Sequence, residues 1–252
     1  MSEKTFDLCA IVRNQLEMYM EEAIKRGQKR LPPEKQLSDK LQVSRSTVRT
    51  VLSTLEYEGK ITRRHGSGTF INPHAFKLHT TLYPQVYYYD LIKLSGYVPS
   101  IKIIDAKIMS AGKIGTRLDI APTRKVFQVR KLYLADGKAC ILCVDYLICS
   151  HFRNPKQILA ILQSEPVSIF QILQKYTNMK VGWDVIRLEA ADRSEVQQHG
   201  VEIESARPFL VIDSVNYSND QPVLYAKSYV NTDIIKFYIV RGQYEAEQER
   251  SL

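Results

Sequence analysis

The sequence predicts an α+β protein of two domains, a small helical head with a hairpin and a larger sheet domain behind it. Three observations carry this. Apolar residues recur at helical three- and four-residue steps through residues 8–58, and strand-like alternation replaces that spacing after about residue 98. The cationic charge is concentrated in the head: residues 25–68 hold eleven Lys and Arg against four acids, +7 of the chain's formal +8. The length of 252 residues allows one or two domains of roughly 100–200 residues each.

Composition excludes several classes. A 44% apolar and 25% charged content is ordinary for a folded protein and unlike a disordered one. No apolar run approaches the roughly 18 residues of a membrane span. The start, Met1-Ser2-Glu3-Lys4-Thr5-Phe6-Asp7, lacks the basic-then-apolar layout of a secretion signal. The four cysteines then read as reduced thiols, and the expectation is a cytoplasmic protein with no membrane partner.

The head is justified element by element. Leu8, Ile11, Val12, Leu16, Tyr19, Met20, Ala23 and Ile24 form the apolar stripe of a helix over 8–27, ended by Gly27. Leu31-Pro32-Pro33 forces an extended entry. A short helix over about 34–41 follows, with Leu37 and Leu41 on one face. Only Gln42-Val43-Ser44 separate it from the next helix, the tight turn of a helix-turn-helix. Ser44 suits the N-cap of that helix, 45–58, whose buried stripe is Val48, Val51, Leu52 and Leu55. Its other face carries Arg45, Ser46, Thr47 and Arg49, with the two arginines one turn apart at the N-terminal end. A guanidinium fork there suits guanine or phosphate, as in a recognition helix laid in the major groove. Gly59 ends the helix. Residues 60–64 and 69–71 form a hairpin around His65-Gly66-Ser67-Gly68, with Arg63, Arg64 and His65 beside its tip. Three helices and a basic hairpin make a winged helix-turn-helix, and the partner expected is a double-stranded DNA operator.

These residues also resemble a family. Leu31-Pro32-Pro33-Glu34-Lys35-Gln36-Leu37, Val43-Ser44-Arg45-Ser46-Thr47-Val48-Arg49, Leu55-Glu56-Tyr57-Glu58-Gly59-Lys60-Ile61 and His65-Gly66-Ser67-Gly68-Thr69-Phe70 look like the GntR family of bacterial transcription regulators. The resemblance implies that Lys35, Ser44, Arg45, Thr47, Arg49 and the wing tip His65-Gly66 contact operator DNA. Ser46, Arg64 and Ser67 complete the candidate DNA-binding set. Lys35 stands where the family usually has Arg.

Residues 1–73 are therefore the DNA-binding domain, 74–83 a linker, and 84–252 a second domain, a mixed sheet with short helices. Strands are expected over 98–109, 125–134, 138–148, 180–190, 209–217 and 223–230, with helices over 154–163, 167–176 and 193–200. Asp136-Gly137 marks a tight hairpin. In the 125–134 strand, Val126, Gln128, Arg130, Leu132 and Leu134 share one face, while Phe127, Val129 and Tyr133 share the other. The order of elements resembles the effector-binding UTRA domain of the HutC branch, through Gly96-Tyr97-Val98-Pro99, the run from Arg130 to Gly137, Ser168 to Leu173 and Asp220 to Tyr225. At fold level it resembles chorismate lyase. The resemblance implies a small-molecule effector, a phosphorylated sugar or another small acid. Its candidate site is Arg130, Lys131, Tyr133, Cys143, Ser168, Phe170 and Tyr225. Lys131 and Tyr133 stand where relatives carry an Arg-x-Arg pair, and Cys143 where many carry Glu. Fewer cations and more aromatics, Tyr87-Tyr88-Tyr89 among them, leave a less charged ligand open beside the phosphosugar. Arg130 has a structural salt bridge as its competing use, Ser168 and Tyr225 capping and packing.

Other chemistry is thin. Cys140-x-x-Cys143 has redox or zinc spacing, yet it lies in a strand, no second pair follows and the histidines are scattered. No metal, cofactor or catalytic group is expected. The leading reading is a homodimeric repressor on a pseudo-palindromic operator, its DNA affinity set by the effector. The alternative is an enzyme of chorismate-lyase-like fold with a DNA-binding arm.

Overall fold

In the computed structural model, described for residues 3–76, 78 and 87–240 with side chains from residue 8 onward, the chain divides into two compact units. The first contains α1 (Glu3–Lys25), α2 (Glu34–Leu41), α3 (Arg45–Tyr57), the hairpin β1 (Ile61–Arg64) and β2 (Gly68–Ile71), and the short α4 (Pro73–Phe76). Val12, Leu16, Met20, Leu37, Val48, Leu52, Leu55 and Ile61 form its core. Leu8 and Ile11, expected on the buried stripe of α1, are exposed. Helix α4 runs from the last residue of the expected DNA-binding domain into the expected linker, because the Asn72 N–H donates to the Lys60 carbonyl and the Asn72 carbonyl accepts from the Phe76 N–H, closing a helical turn. Residues 77 and 79–83 of that stretch lie outside the described residues.

The first unit also takes in residues 237–240, which fall within the second domain expected from the sequence. Gly59 shows the contact. Its φ of +71° ends α3 in the left-handed region, and a Cβ there would run into the Val240 side chain.

The second unit, residues 86–236, is built on one antiparallel six-stranded sheet in the order β3-β4-β5-β8-β7-β6. Its strands are β3 (Pro99–Ser110), β4 (Lys125–Ala135), β5 (Lys138–Ile148), β6 (Trp183–Ala191), β7 (Phe209–Ser218) and β8 (Gln221–Val230). Asp136 and Gly137 turn β4 into β5, both at positive φ, as do Asn219 and Asp220 between β7 and β8. Strand β8 starts at Gln221, two residues before the expected 223, and takes in Pro222.

Strand alternation gives the sheet two cores. Val126, Leu132, Leu142, Val144, Tyr146, Val211 and Tyr229 face one side, capped by α8 (Arg193–Gln197) through Val196. Phe127, Val129, Leu147 and Leu224 face the other, packed by α6 (Pro155–Ser164) and α7 (Ile169–Thr177). Helix α5 (Tyr88–Leu94) lies against β3 and β4, with Leu91 and Ile92 buried. No helix among the described residues is long and apolar enough to cross a membrane.

Candidate nucleic-acid interface and effector pocket

Ser44 organises the start of α3. Its Oγ accepts the Thr47 N–H at 3.1 Å and lies 2.7 and 2.8 Å from the hydroxyls of Ser46 and Thr47. Those small side chains let the helix N-terminus stand uncovered beside exposed Arg45 and Arg49. Arg49 is already engaged. Its guanidinium donates to Glu34 on α2 at 2.9 and 3.2 Å, which holds the Glu34 carboxyl below its ordinary range. Lys35, one residue on, is exposed.

At the wing, Arg64, His65, Gly66 and Ser67 are all exposed, with Gly66 at a φ of +70° and Arg64 over the Phe70 ring at 4.9 Å. Arg63 does not join them. It donates to the Arg49 carbonyl and Ser53 hydroxyl and pairs with Glu56, bracing β1 against α3. All ten candidate DNA-binding residues thus sit at the N-terminal end of α2 or α3 or on the wing tip.

The seven candidate effector residues divide. Lys131, Tyr133 and Cys143 point to the α6/α7 face of the sheet. There Lys131 pairs with Asp145 at 3.0 Å, the Cys143 thiol donates to Asp145 at 3.2 Å, and the Ser228 hydroxyl lies 3.3 Å from Cys143. Tyr88 on α5 covers this cluster, its ring 5.5 Å from that of Tyr133 in an edge contact. Phe170 on α7 meets Tyr87 at the same ring distance, so α5 and α7 close on one another above the face. Ser168 stands at the N-cap of α7, but its side chain makes no capping bond.

Arg130 and Tyr225 are not in this group and lie on the other face of the sheet. Arg130 points to the opposite face, bound to Asp105 at 2.5 and 2.9 Å and to the His199 carbonyl at 2.5 Å. Tyr225 stacks on Tyr146 and donates to Asp213, which also pairs with Arg117 and Arg187. The reason is the two-residue period: neighbours 130 and 131, like residues 225 and 228, must face opposite ways. The same rule had already set Arg130 apart from Tyr133. Asp145 and Ser228, which join this cluster, are absent from the expected set, and Tyr88 enters it only as one of three tyrosines. An acid in the otherwise apolar Ile141–Ile148 stretch was the available signal for Asp145.

The electrostatics of the cluster are those of a buried, neutralised site. Burial, the largest influence, would by itself lower the Lys131 ammonium, but Asp145, Tyr133 and Cys143 together more than offset it and the group ends above its ordinary value. Burial pushes the Cys143 thiol and the Tyr88 and Tyr133 phenols up. Cys140 and Cys149 are also raised by burial, to about 12 and about 11, so all three thiols are protonated and unreactive.

A winged helix-turn-helix with a cationic recognition helix, carried on a chain whose second unit holds a buried polar cluster, has the architecture of a DNA-binding transcription regulator with an effector domain. Comparison supports that class. Residues 11–71 match the model of the bacterial regulatory proteins of the gntR family, and residues 94–236 match the UTRA domain. The chain belongs to the GntR family of transcription regulators, in its UTRA-containing branch. It is similar to the HTH-type transcriptional regulator YydK of Bacillus subtilis, 26% identical over 90% of this chain and 94% of YydK. A second relative is the "Probable fructoselysine utilization operon transcriptional repressor" of Escherichia coli K12, 23% identical over 86% of this chain and 87% of its own. The crystal structure of YydK superposes with a TM-score of 0.66 over 92% of this chain and 99% of that one, at 22% identity. PhnF from Mycobacterium smegmatis gives 0.55 at 17% identity, covering 92% and 100%. The fold is therefore shared. The enzyme alternative finds no support among these relatives.

Proposed function

We propose that the protein is a cytoplasmic homodimeric repressor that reads a pseudo-palindromic operator and leaves it, or binds it less tightly, when a small acid fills the UTRA pocket. The observation that carries the DNA half is the exposed N-terminal end of α3. There Arg45 and Arg49, the uncovered helix terminus and the wing tip Arg64-His65-Gly66 offer guanidinium forks and N–H groups together. Phosphate contacts from Lys35, Ser44, Ser46, Thr47 and Ser67 fix the register, while Arg45 and Arg49 read bases. The repressor sense follows the name of the Escherichia coli relative.

For the effector, the Lys131–Asp145 pair favours a small carboxylic or amino acid over a phosphorylated sugar. A phosphate dianion would meet a cation already neutralised at 3.0 Å and would bring its charge beside a buried carboxylate. Lys131, Tyr133, Cys143, Ser168 and Phe170 line the site in this reading, with Tyr88, Asp145 and Ser228 added. A thermal-shift screen of organic acids, amino acids and phosphosugars tests it, since a ligand at 100 times its Kd adds about 2.7 kcal/mol. The expected hit is a small acid that also lowers affinity for the DNA upstream of the protein's own gene. Stabilisation by phosphosugars alone would overturn the charge argument.

A further inference from the structure

Among the described residues, strand β6 is an outer strand of the sheet, bonded to β7 on one side only. Protected edges are short, bulged or studded with Lys and Pro. This one runs nine residues in unbroken register with β7, and Trp183, Val185 and Leu188 are 47%, 54% and 43% exposed. We propose that a second copy of this chain pairs with it here, β6 against β6, antiparallel about a two-fold axis through Leu188. The proposal rests on the homodimer reading above and names its surface.

Symmetry restricts the choice of register. An isologous pair repeats each contact twice, and opposed residues must share a sheet face, so the axis passes through a residue and never between two. Three registers keep at least seven residues of β6 paired, with axes at Ile186, Arg187 or Leu188. An axis at Ile186 sets Leu188 against the partner's Asp184. An axis at Arg187 opposes two guanidinium groups. Both are unfavourable.

An axis at Leu188 avoids both conflicts. On one face Leu188 meets the partner's Leu188, and Ile186 meets the partner's Ala190. On the other face Arg187 meets the partner's Glu189, and the symmetry repeats that pair. Arg187 and Glu189 already touch within the chain at 2.8 Å, so pairing joins two ion pairs into an alternating cluster of four charges. Val185 meets the partner's Ala191 beside it. Charge and apolar surface are thus both self-complementary in one register. The backbone N–H and C=O groups on the outer side of β6 gain partners, as in strand addition.

The experiment is sedimentation velocity on the full chain and on Leu188→Lys and Leu188→Glu, each checked for native circular dichroism and a cooperative melt. Leu188 is solvent-exposed enough for both variants to fold. The expected result is a dimeric parent, two variants whose self-association is weakened at least tenfold by like charges on the axis, and a dimer restored on mixing them one to one. A dimeric parent with dimeric variants would overturn the β6 surface and leave the homodimer reading standing. Monomeric variants that stay monomeric when mixed would overturn the Leu188 register. A monomeric parent would overturn both the surface and the homodimer.

Discussion

Lys131 on β4 and Asp145 on β5 lie diagonally across the strand pair, 3.0 Å apart, with side chains only 4% and 5% exposed. Taking both charges out of water is costly, and the pair offsets that cost only while both members remain. This makes Asp145→Ala more disruptive than its size suggests. The expected loss is about 3–5 kcal/mol, because a buried ammonium is left without its partner. The double variant Lys131→Met/Asp145→Leu should recover most of that. Denaturant midpoints of the single and double variants check it, and a single variant within about 0.5 kcal/mol of the parent would mean that the pair is solvated.

At the DNA surface, base-reading and phosphate-gripping residues should behave differently. Arg45→Ala should weaken binding to the specific operator by about 1–3 kcal/mol while changing non-specific binding less. Arg64→Ala should weaken both alike and lower the salt slope by about one counterion. Fluorescence anisotropy with operator and scrambled duplexes over a salt series separates the two.

Ser44→Ala removes the hydroxyl that accepts the Thr47 N–H and orders Ser46 and Thr47. A lost N-cap costs about 1 kcal/mol of stability. Operator affinity should fall further than the melt alone accounts for, since the capped turn carries the DNA-facing groups. Ser44→Asp should recover the melt and not the DNA affinity, because it sets an anion against phosphate.

His199 predicts a pH dependence. Its imidazole pKa is lowered from 6.5, first by burial and then by Arg130 and Lys227, and its ring lies 3.2 Å from the Tyr229 hydroxyl. The unfolded chain therefore takes up this proton first, and stability falls as pH drops below about 6.5. His151 is lowered in the same direction by burial. Asp105 and Glu195, held low mainly by hydrogen bonds from Arg130 and Lys227, lose their contributions only further down, below about pH 4. Unfolding free energies between about pH 8 and about pH 5 should slope in the parent and slope less in His199→Gln. An unchanged slope would show that His199 is not the group responsible.

The head domain was nearly all legible in the sequence. Ser44 as N-cap, the Val48–Leu55 stripe and the Gly-rich wing tip are local devices, each set by neighbours within a few residues. The candidate DNA residues inherit that clarity, because recognition helix and wing are contiguous segments. The exception is Arg63, whose bonds to Arg49 and Ser53 cross between elements. The candidate effector residues were half legible. Alternation along β4 separated Arg130 from Tyr133, but the pairing of β5 with β8, which brings Ser228 beside Cys143, joins residues 85 positions apart.

The sequence by itself therefore determined the two-domain plan, the winged head, the place of its charge and the strands of the second domain, since these follow from spacing, turns and caps. Only the tertiary structure decided which polar residues meet. Tyr88, Lys131, Asp145 and Ser228 come from four separate elements, and no local pattern records that they share one face. The same holds for the edge position of β6 and for the packing of Val240 at Gly59. Long-range pairing sets sheet order and helix cover, and those assign each alternating side chain to a pocket, a core or a surface.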